Sequence, residues 1–146
     1  MFHRVLVGFD GSPSGWCALR HGIQVAKEDG ADLWALSVEE PLPHYASAAN
    51  KVQAEGSAVA AYFERLQAEA QREAESHAVA LQTETVHGHA AQAIVDFASQ
   101  IRADLIIVGQ HGHRGVMKRL LGSTSDRVVD IAPCSVLVVR SDDTTP

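Results

Sequence analysis

The order of apolar blocks along the chain is the feature that most restricts its fold. Five short blocks rich in apolar and β-branched residues alternate with four longer stretches whose apolar residues recur at helical spacing. The short blocks lie within residues 5–9, 31–38, 77–88, 104–109 and 134–140. This alternation predicts a single α/β domain over residues 1–141, followed by a polar C-terminal tail, residues 142–146. The sheet is expected to be open and mostly parallel, with helices on both of its faces.

Local signals indicate where these elements begin and end. Ser12 and Pro13 form a good N-cap and first-turn pair for the first helix, and Gly30 is a typical residue at which such a helix stops. Pro133 is expected to stop the fourth helix. The third block alternates more clearly than the others around Leu81, which predicts a less buried strand at the edge of the sheet.

Composition and charge exclude several classes of function. The 146 residues carry a formal net charge of −6, which disfavours binding to nucleic acid. No apolar run is long enough to cross a bilayer, and the first residues lack the layout of a signal peptide, so a cytoplasmic protein that does not insert into a membrane is expected. Cys17 and Cys134 have no CxxC spacing, which favours two reduced thiols over a zinc site or a disulfide.

Two segments place polar residues directly after predicted strands. Sheets of this kind bind ligands outside the carboxyl ends of their strands, where the strand order reverses. The first strand is followed by GFDGSPS, which contains Asp10, and the fourth by the glycine-rich residues 109–126. If these two strands are neighbours, Asp10 and Gly109 face the same crevice.

The glycine-rich segment has the properties of a phosphate cradle. Glycines at 109, 112, 115 and 122 allow positive φ angles and the close approach of an anion to main-chain amides. Residues 122–125 (Gly-Ser-Thr-Ser) then open a helix, where free N–H groups and the helix dipole favour a negative group. Arg114, Lys118 and Arg119 add positive charge to an acidic chain. Because no GxxxxGK[ST] or GxGxxG motif occurs, the commonest nucleotide-binding folds are not supported.

Paired histidines offer a competing interpretation of the same segment. His111 and His113, like His87 and His89, are separated by one residue, as two ligands of a shared metal can be. A tight site needs three or four ligands, however, and no acidic or cysteine partner lies nearby in sequence. We therefore predict no metal site, and we expect His111 and His113 to lie beside phosphates, where partial protonation helps to bind anions.

The motifs in these segments resemble a known family. The spacing Gly109-x2-Gly112-x9-Gly122-Ser123, just after an apolar strand, is similar to the ATP-binding motif of the universal stress proteins. The stretches VLVGFDGSPSG, ADLIIVGQHG and LGSTSDRVVDIAPCSVLVVR also resemble that family, so the likeness covers essentially the whole chain. It implies a five-stranded parallel sheet in the order 3-2-1-4-5, of the adenine nucleotide α-hydrolase-like or Rossmann-like type.

The resemblance also implies a binding site for ATP, with or without Mg²⁺. The residue at the position of Asp10 lies near the ribose and phosphates in the ATP-binding branch, and the residue at Val38 meets adenine through its backbone. The implied set of binding residues is Gly8, Phe9, Asp10, Val38, Val108, Gly109, Gln110, His111, Gly112, His113, Arg114, Gly122, Ser123, Thr124 and Ser125. The family further implies a homodimer formed through the last strand, residues 134–140. One departure is Gly88-His89-Ala90, where the family often has Gly-x-Pro.

Three functions are compatible with these residues. The first is an ATP-binding universal stress protein, a nucleotide-dependent dimer that acts in stress response or signalling without strong catalysis, since no nucleophile or general base is evident beside the cradle. The second is a slow ATPase in which Asp10 places Mg²⁺ or water and His111 or His113 assists proton transfer. The third is a nucleotide-independent dimerisation module, against which the intact glycine motif argues.

Overall fold

The computed structural model describes residues 1–41, 49–110 and 122–141, with only the backbone described for residues 49–57. Strands and helices alternate along the chain as the apolar blocks predict. The elements are β1 (Arg4–Gly8), α1 (Pro13–Asp29), β2 (Asp32–Glu39), α2 (Ala49–Ser76), β3 (Leu81–His87), α3 (Ala90–Ile101), β4 (Leu105–Gly109), α4 (Ser123–Ile131) and β5 (Ser135–Val139).

The five strands form one sheet in the order β3-β2-β1-β4-β5, and every neighbouring pair is parallel. This confirms the predicted fold class and places β3 at an edge. The chain proceeds from β1 towards β3 on one side and from β4 towards β5 on the other. The strand order therefore reverses between β1 and β4, where parallel sheets form their ligand crevice.

Successive residues of the central strands pack into two separate cores. Val5 and Val7 of β1 join the core beneath α1 and α2, together with Leu19. Leu6 points to the other face and packs with Ile94 of α3 and with Val128 of α4. Because strand side chains alternate between faces, a strand covered by helices on both sides must be apolar throughout, as β1 and β4 are.

The predicted ends of α1 are confirmed, and they orient this helix towards the crevice. Ser12 is the N-cap, its side chain accepts a hydrogen bond from the Gly15 amide, and Pro13 begins the helix. Gly30 ends it in the left-handed conformation with φ 65°. α3 begins at Ala90 without the family's proline, and its N-cap residue His89 makes no side-chain capping bond.

Asp104 joins the start of β1 to the start of β4. Its carboxylate accepts hydrogen bonds from the amides of His3, at 2.9 Å, and Arg4, at 2.8 Å. Burial alone raises the pKa of Asp104, but the hydrogen bonds from Arg4 and His3 outweigh it and hold the pKa below its ordinary value.

A carboxyl group with a depressed pKa in the folded state contributes stability above its unfolded pKa, about 3.9, and that contribution disappears as the pH falls through the folded pKa. We expect Asp104→Asn to lower the free energy of unfolding by about 1 kcal/mol at pH 7. The difference from the wild type should shrink as the pH falls below the unfolded pKa, about 3.9. Urea unfolding across this pH range measures it, and a difference independent of pH would contradict the assignment.

Among the described residues, no helix is both long and apolar enough to cross a membrane.

Candidate functional site

A cleft lies at the carboxyl ends of β1, β2 and β4, where the N-termini of α1, α3 and α4 converge. It encloses about 100 Å³. This is below the roughly 300–1,000 Å³ of complete small-molecule sites, so the described residues alone form a cleft smaller than such a site. The lining residues are Gly8, Phe9, Asp10, Ser12, Gly15, Leu36, Val38, Ala90, Ile94, Val108, Gly109, Thr124 and Ser125.

The inner wall of the cleft is apolar, and Ile94 and Val108 pack closely against Gly8 within it. A Cβ atom placed on Gly8 would lie 3.0 Å from Ile94 Cδ1 and 3.2 Å from Val108 Cγ1. Leu36 and Val38 at the end of β2 line the same cleft. β1 ends in a residue without a side chain because Ile94 and Val108 already fill the position that a side chain would take.

Asp10 both shapes its own turn and lines the cleft. One oxygen of its carboxylate accepts hydrogen bonds from the Ser12 amide at 3.0 Å and from Ser12 Oγ at 2.6 Å. The same Ser12 Oγ accepts a bond from the Gly15 amide at 3.1 Å. A Cβ atom on Gly15 would lie only 2.7 Å from Asp10 Oδ1, so a side chain there would displace the carboxylate. The first turn of α1 therefore holds an anionic group in the cleft.

The end of β4 is bonded to the beginning of α4. Ser125 is 3% exposed, and its hydroxyl donates to the Gly109 carbonyl at 2.5 Å, with a longer contact of 3.2 Å to the Gln110 carbonyl. The Gly122 amide donates to the Gln110 carbonyl at 2.7 Å. The N-cap residue Gly122 supplies no side chain to the first amides of α4, and Thr124 lines the cleft. Such a helix start favours an anion.

The described glycines of the predicted cradle, Gly109 and Gly122, do not adopt the positive φ angles that glycine allows. Gly122 has φ −61° and ψ 157°, an extended conformation open to any residue. Gly109 is not among the described residues with positive φ. A Cβ atom on Gly109 would instead lie 2.7 Å from the main-chain carbonyl carbon of Ser14, so α1 crosses β4 closely at this point. Neither Gly109 nor Gly122 adopts a positive φ, so the expectation about positive φ is wrong for both residues. For Gly109, the close packing of α1 explains the glycine instead.

Eight of the predicted binding residues line the cleft, and others do not. Those that do are Gly8, Phe9, Asp10, Val38, Val108, Gly109, Thr124 and Ser125. Gln110 Oε1 instead accepts a hydrogen bond from Arg140 Nε at 3.0 Å. Gly122 and Ser123 do not line the cleft, so their contact with a ligand, like that of Gln110, stays a prediction. His111, Gly112, His113 and Arg114 lie outside the described residues.

Five lining residues were not predicted as binding residues: Ser12, Gly15, Leu36, Ala90 and Ile94. Ser12 and Gly15 stand in the same motif as Asp10, so proximity in sequence could have identified them. Ile94 reaches the cleft from the first turns of α3, and no sequence signal separates it from an ordinary core residue.

One histidine of the second pair, His87, contacts an acidic side chain of the neighbouring strand. His87 Nδ1 lies 3.4 Å from Glu39 Oε2, an exposed contact between adjacent strands. Within residues 1–41, 49–110 and 122–141, no group of three or more His, Cys, Asp or Glu side chains could hold a metal ion.

Comparison with known proteins gives one consistent result. The sequence model of the Universal stress protein family matches residues 1–140. The chain is 35% identical to Universal stress protein MJ0531 of Methanocaldococcus jannaschii, over 96% of this chain and 83% of that protein. Its structure is similar to that of universal stress protein UspA from Lactobacillus plantarum, with a TM-score of 0.85 and 31% identity over 94% and 97% of the two chains. It is also similar to a universal stress protein crystallised with cAMP, with a TM-score of 0.74 and 27% identity over 97% and 98% of the chains. The chain belongs to the universal stress protein family.

Proposed function

We propose that this protein is an ATP-binding universal stress protein, and that the cleft between β1, β4 and α4 is its nucleotide site. The observation that carries the proposal is the make-up of the cleft, in which the apolar side chains of Leu36, Val38 and Ile94 and the start of α4 border the same space. The apolar wall would receive a purine ring, and the start of α4, where Gly122 provides no side-chain cap, would receive the phosphates. The related protein bound to cAMP supports an adenine nucleotide as the ligand class.

Charge and polarity suggest how a nucleotide would be oriented. The adenine would lie against the apolar wall near Val38, and the phosphates would lie near Thr124. We also predict that Arg114 contributes positive charge to phosphate binding. The Asp10 carboxylate repels phosphate but accepts hydrogen bonds from ribose hydroxyls, so the sugar would lie beside it. Bound Mg²⁺ would be held by the phosphates together with Asp10, since a hard cation prefers oxygen ligands.

The residues of the cleft favour binding over catalysis. Asp10 is the only described lining residue with an ionisable side chain, and one of its oxygens already accepts two hydrogen bonds from Ser12. A general base must reach the proton that it removes, and a carboxylate engaged in this way is a poor candidate. We therefore propose a nucleotide-dependent switch rather than an enzyme. ATP hydrolysis that disappears in Asp10→Ala would replace this proposal with the slow ATPase.

Equilibrium binding of ATP, cAMP and GTP, each with and without Mg²⁺, tests the proposed ligand. We expect ATP to bind more tightly than GTP, because the apolar wall offers no partner for the polar edge of guanine. Release of adenine nucleotide from the purified, denatured protein, detected by absorbance and mass, would support the same conclusion. Absence of ATP binding with a Kd below about 1 mM would overturn the proposal.

We also propose that the protein is a cytoplasmic homodimer paired through β5. Both cysteines are free, as in a reducing compartment. The two edges of the sheet differ in chemistry: β5 reads SVLVV, whereas β3 reads LQTETVH and exposes Glu84 and His87. Leu137 of β5 is 37% exposed. An apolar edge without charges is suited to pairing with another strand, and a charged edge is not.

We expect Leu137→Glu to convert the dimer to a monomer, because two carboxylates would be buried against an apolar edge. Sedimentation velocity measures the change. The matched variant Gln82→Glu, at an exposed position of the opposite edge, should remain dimeric. A wild-type protein that sediments as a monomer, or a variant pair with the same behaviour, would exclude this interface.

A further inference from the structure

The long helix α2 is hydrogen-bonded to the loop that carries Asp10. The hydroxyl of Tyr62 donates to the main-chain carbonyl of Asp10 at 3.2 Å. The Tyr62 ring packs edge to face against Phe63, with 5.2 Å between ring centroids, and Tyr62 is 37% exposed. Tyr62 itself does not line the cleft. This hydrogen bond therefore acts on the site through the backbone of Asp10.

The loop is shaped to receive this helix. Gly11 has φ +80°, and a Cβ atom there would lie 2.7 Å from Leu66 Cδ1 and 3.0 Å from the Tyr62 hydroxyl. Leu66 is 7% exposed, so the contact is part of the core. A side chain at Gly11 would both strain the backbone and separate α2 from the loop.

Two consecutive main-chain carbonyls of the loop accept hydrogen bonds from side chains of two different elements. Ser37 Oγ of β2 donates to the Phe9 carbonyl at 2.8 Å, and Tyr62 of α2 donates to the next carbonyl, that of Asp10. The first bond belongs to the sheet and its position is fixed by strand pairing. The second depends on where α2 lies. The orientation of the Asp10 peptide, and with it the Asp10 side chain, is thus linked to the packing of α2.

We propose that Tyr62 is a positioning residue for nucleotide binding, which holds the Asp10 carbonyl so that the Asp10 carboxylate is presented to the cleft. This inference rests on the proposed function of the cleft and adds the Tyr62 hydroxyl, which lies outside the cleft, as a group that adjusts its affinity. Burial, followed by the charges of Asp10 and Glu69, raises the pKa of Tyr62, so its hydroxyl remains a proton donor at neutral pH.

The test compares Tyr62→Phe with a control that loosens the same helix elsewhere. Gln67 of α2 donates to the Glu84 carbonyl at 2.8 Å and to Thr85 Oγ1 at 2.6 Å, so Gln67→Met removes hydrogen bonds from α2 to β3 without touching Asp10. Loss of the hydrogen bond to the Asp10 carbonyl predicts that Tyr62→Phe weakens ATP binding about 2- to 10-fold. Gln67→Met should bind ATP as the wild type does. Thermal unfolding checks that both variants are folded.

A second measurement reports on Asp10 directly and needs no nucleotide. The Ser12 amide donates to Asp10 Oδ1, so its hydrogen exchange follows the position of the carboxylate. We expect this amide to exchange faster in Tyr62→Phe and at the wild-type rate in Gln67→Met. Unchanged ATP affinity in Tyr62→Phe, unchanged Ser12 exchange, or equal effects in the two variants would each overturn the inference. Failure of the wild type to bind ATP would instead overturn the proposed function.

Discussion

Replacing Gly8 with valine is expected to remove nucleotide binding from a protein that still folds. The new side chain would begin 3.0 Å from Ile94 Cδ1 and 3.2 Å from Val108 Cγ1, so it would displace two side chains of the cleft's apolar wall. Excluding a ring from an apolar pocket costs about 3 kcal/mol, which corresponds to about a 100-fold loss of affinity. Titration calorimetry with ATP measures this loss. The first atoms met are ends of flexible side chains, so the fold can adjust.

Gly22→Ala provides the control for crowding alone. A Cβ atom on Gly22 would lie 2.6 Å from Val7 Cγ2 and 3.1 Å from Leu33 Cδ1, in the core beneath α1 and away from the cleft. This variant should lose stability and keep its affinity for ATP. If Gly8→Val binds ATP as tightly as the wild type does, adenine is not held in this cleft.

Gly109→Ala is expected to produce the largest loss of stability among the glycine variants considered. Its Cβ atom would lie 2.7 Å from both the carbonyl carbon and the Cβ of Ser14, so the backbone of α1 itself would have to move. Overpacking against backbone costs about 3 kcal/mol. For a domain whose total stability is about 5–15 kcal/mol, this is a substantial fraction. Urea unfolding followed by circular dichroism measures the change.

Gly122→Ala is the matched comparison, because alanine readily adopts φ −61° and ψ 157°. It should cost less than about 1 kcal/mol. If the two variants are equally stable, the close crossing of α1 and β4 does not explain the glycine at position 109. Together with Gly8→Val, these variants compare two close contacts within one region: Gly8 lies against the side chains of Ile94 and Val108, and Gly109 lies against the backbone of α1.

The sequence predicts the architecture and the location of the cleft well, because both follow from patterns along the chain. Alternation of blocks implies parallel strands, and the position of Asp10 after the first strand places it at the carboxyl edge. The reason for each glycine could not be predicted in this way. Whether Gly109 faces a phosphate or the backbone of Ser14 depends on how closely α1 approaches β4, which is a property of three-dimensional packing.

The same limit applies to individual side chains around the cleft. Ile94 is one of several apolar residues of α3, and only the relation of α3 to β1 brings it opposite Gly8. Gln110 follows the strand that ends at Gly109, yet its side chain bonds to Arg140 beyond β5. The contact between Tyr62 and Asp10 joins residues 52 positions apart, and no spacing rule signals it.

The unequal edges of the sheet bear on how many copies can associate. If two copies pair symmetrically through β5, the uncharged edge of each copy is paired with that of the other and is no longer exposed. β3 then forms both outer edges of the dimer. It exposes Glu84 and His87, and these charged or polar side chains disfavour pairing with another strand. Head-to-tail addition of further copies would have to join β5 to β3, an apolar strand to a charged one. Assembly by strand pairing should therefore be self-limiting at two copies, and the protein should remain free of fibres even at high concentration.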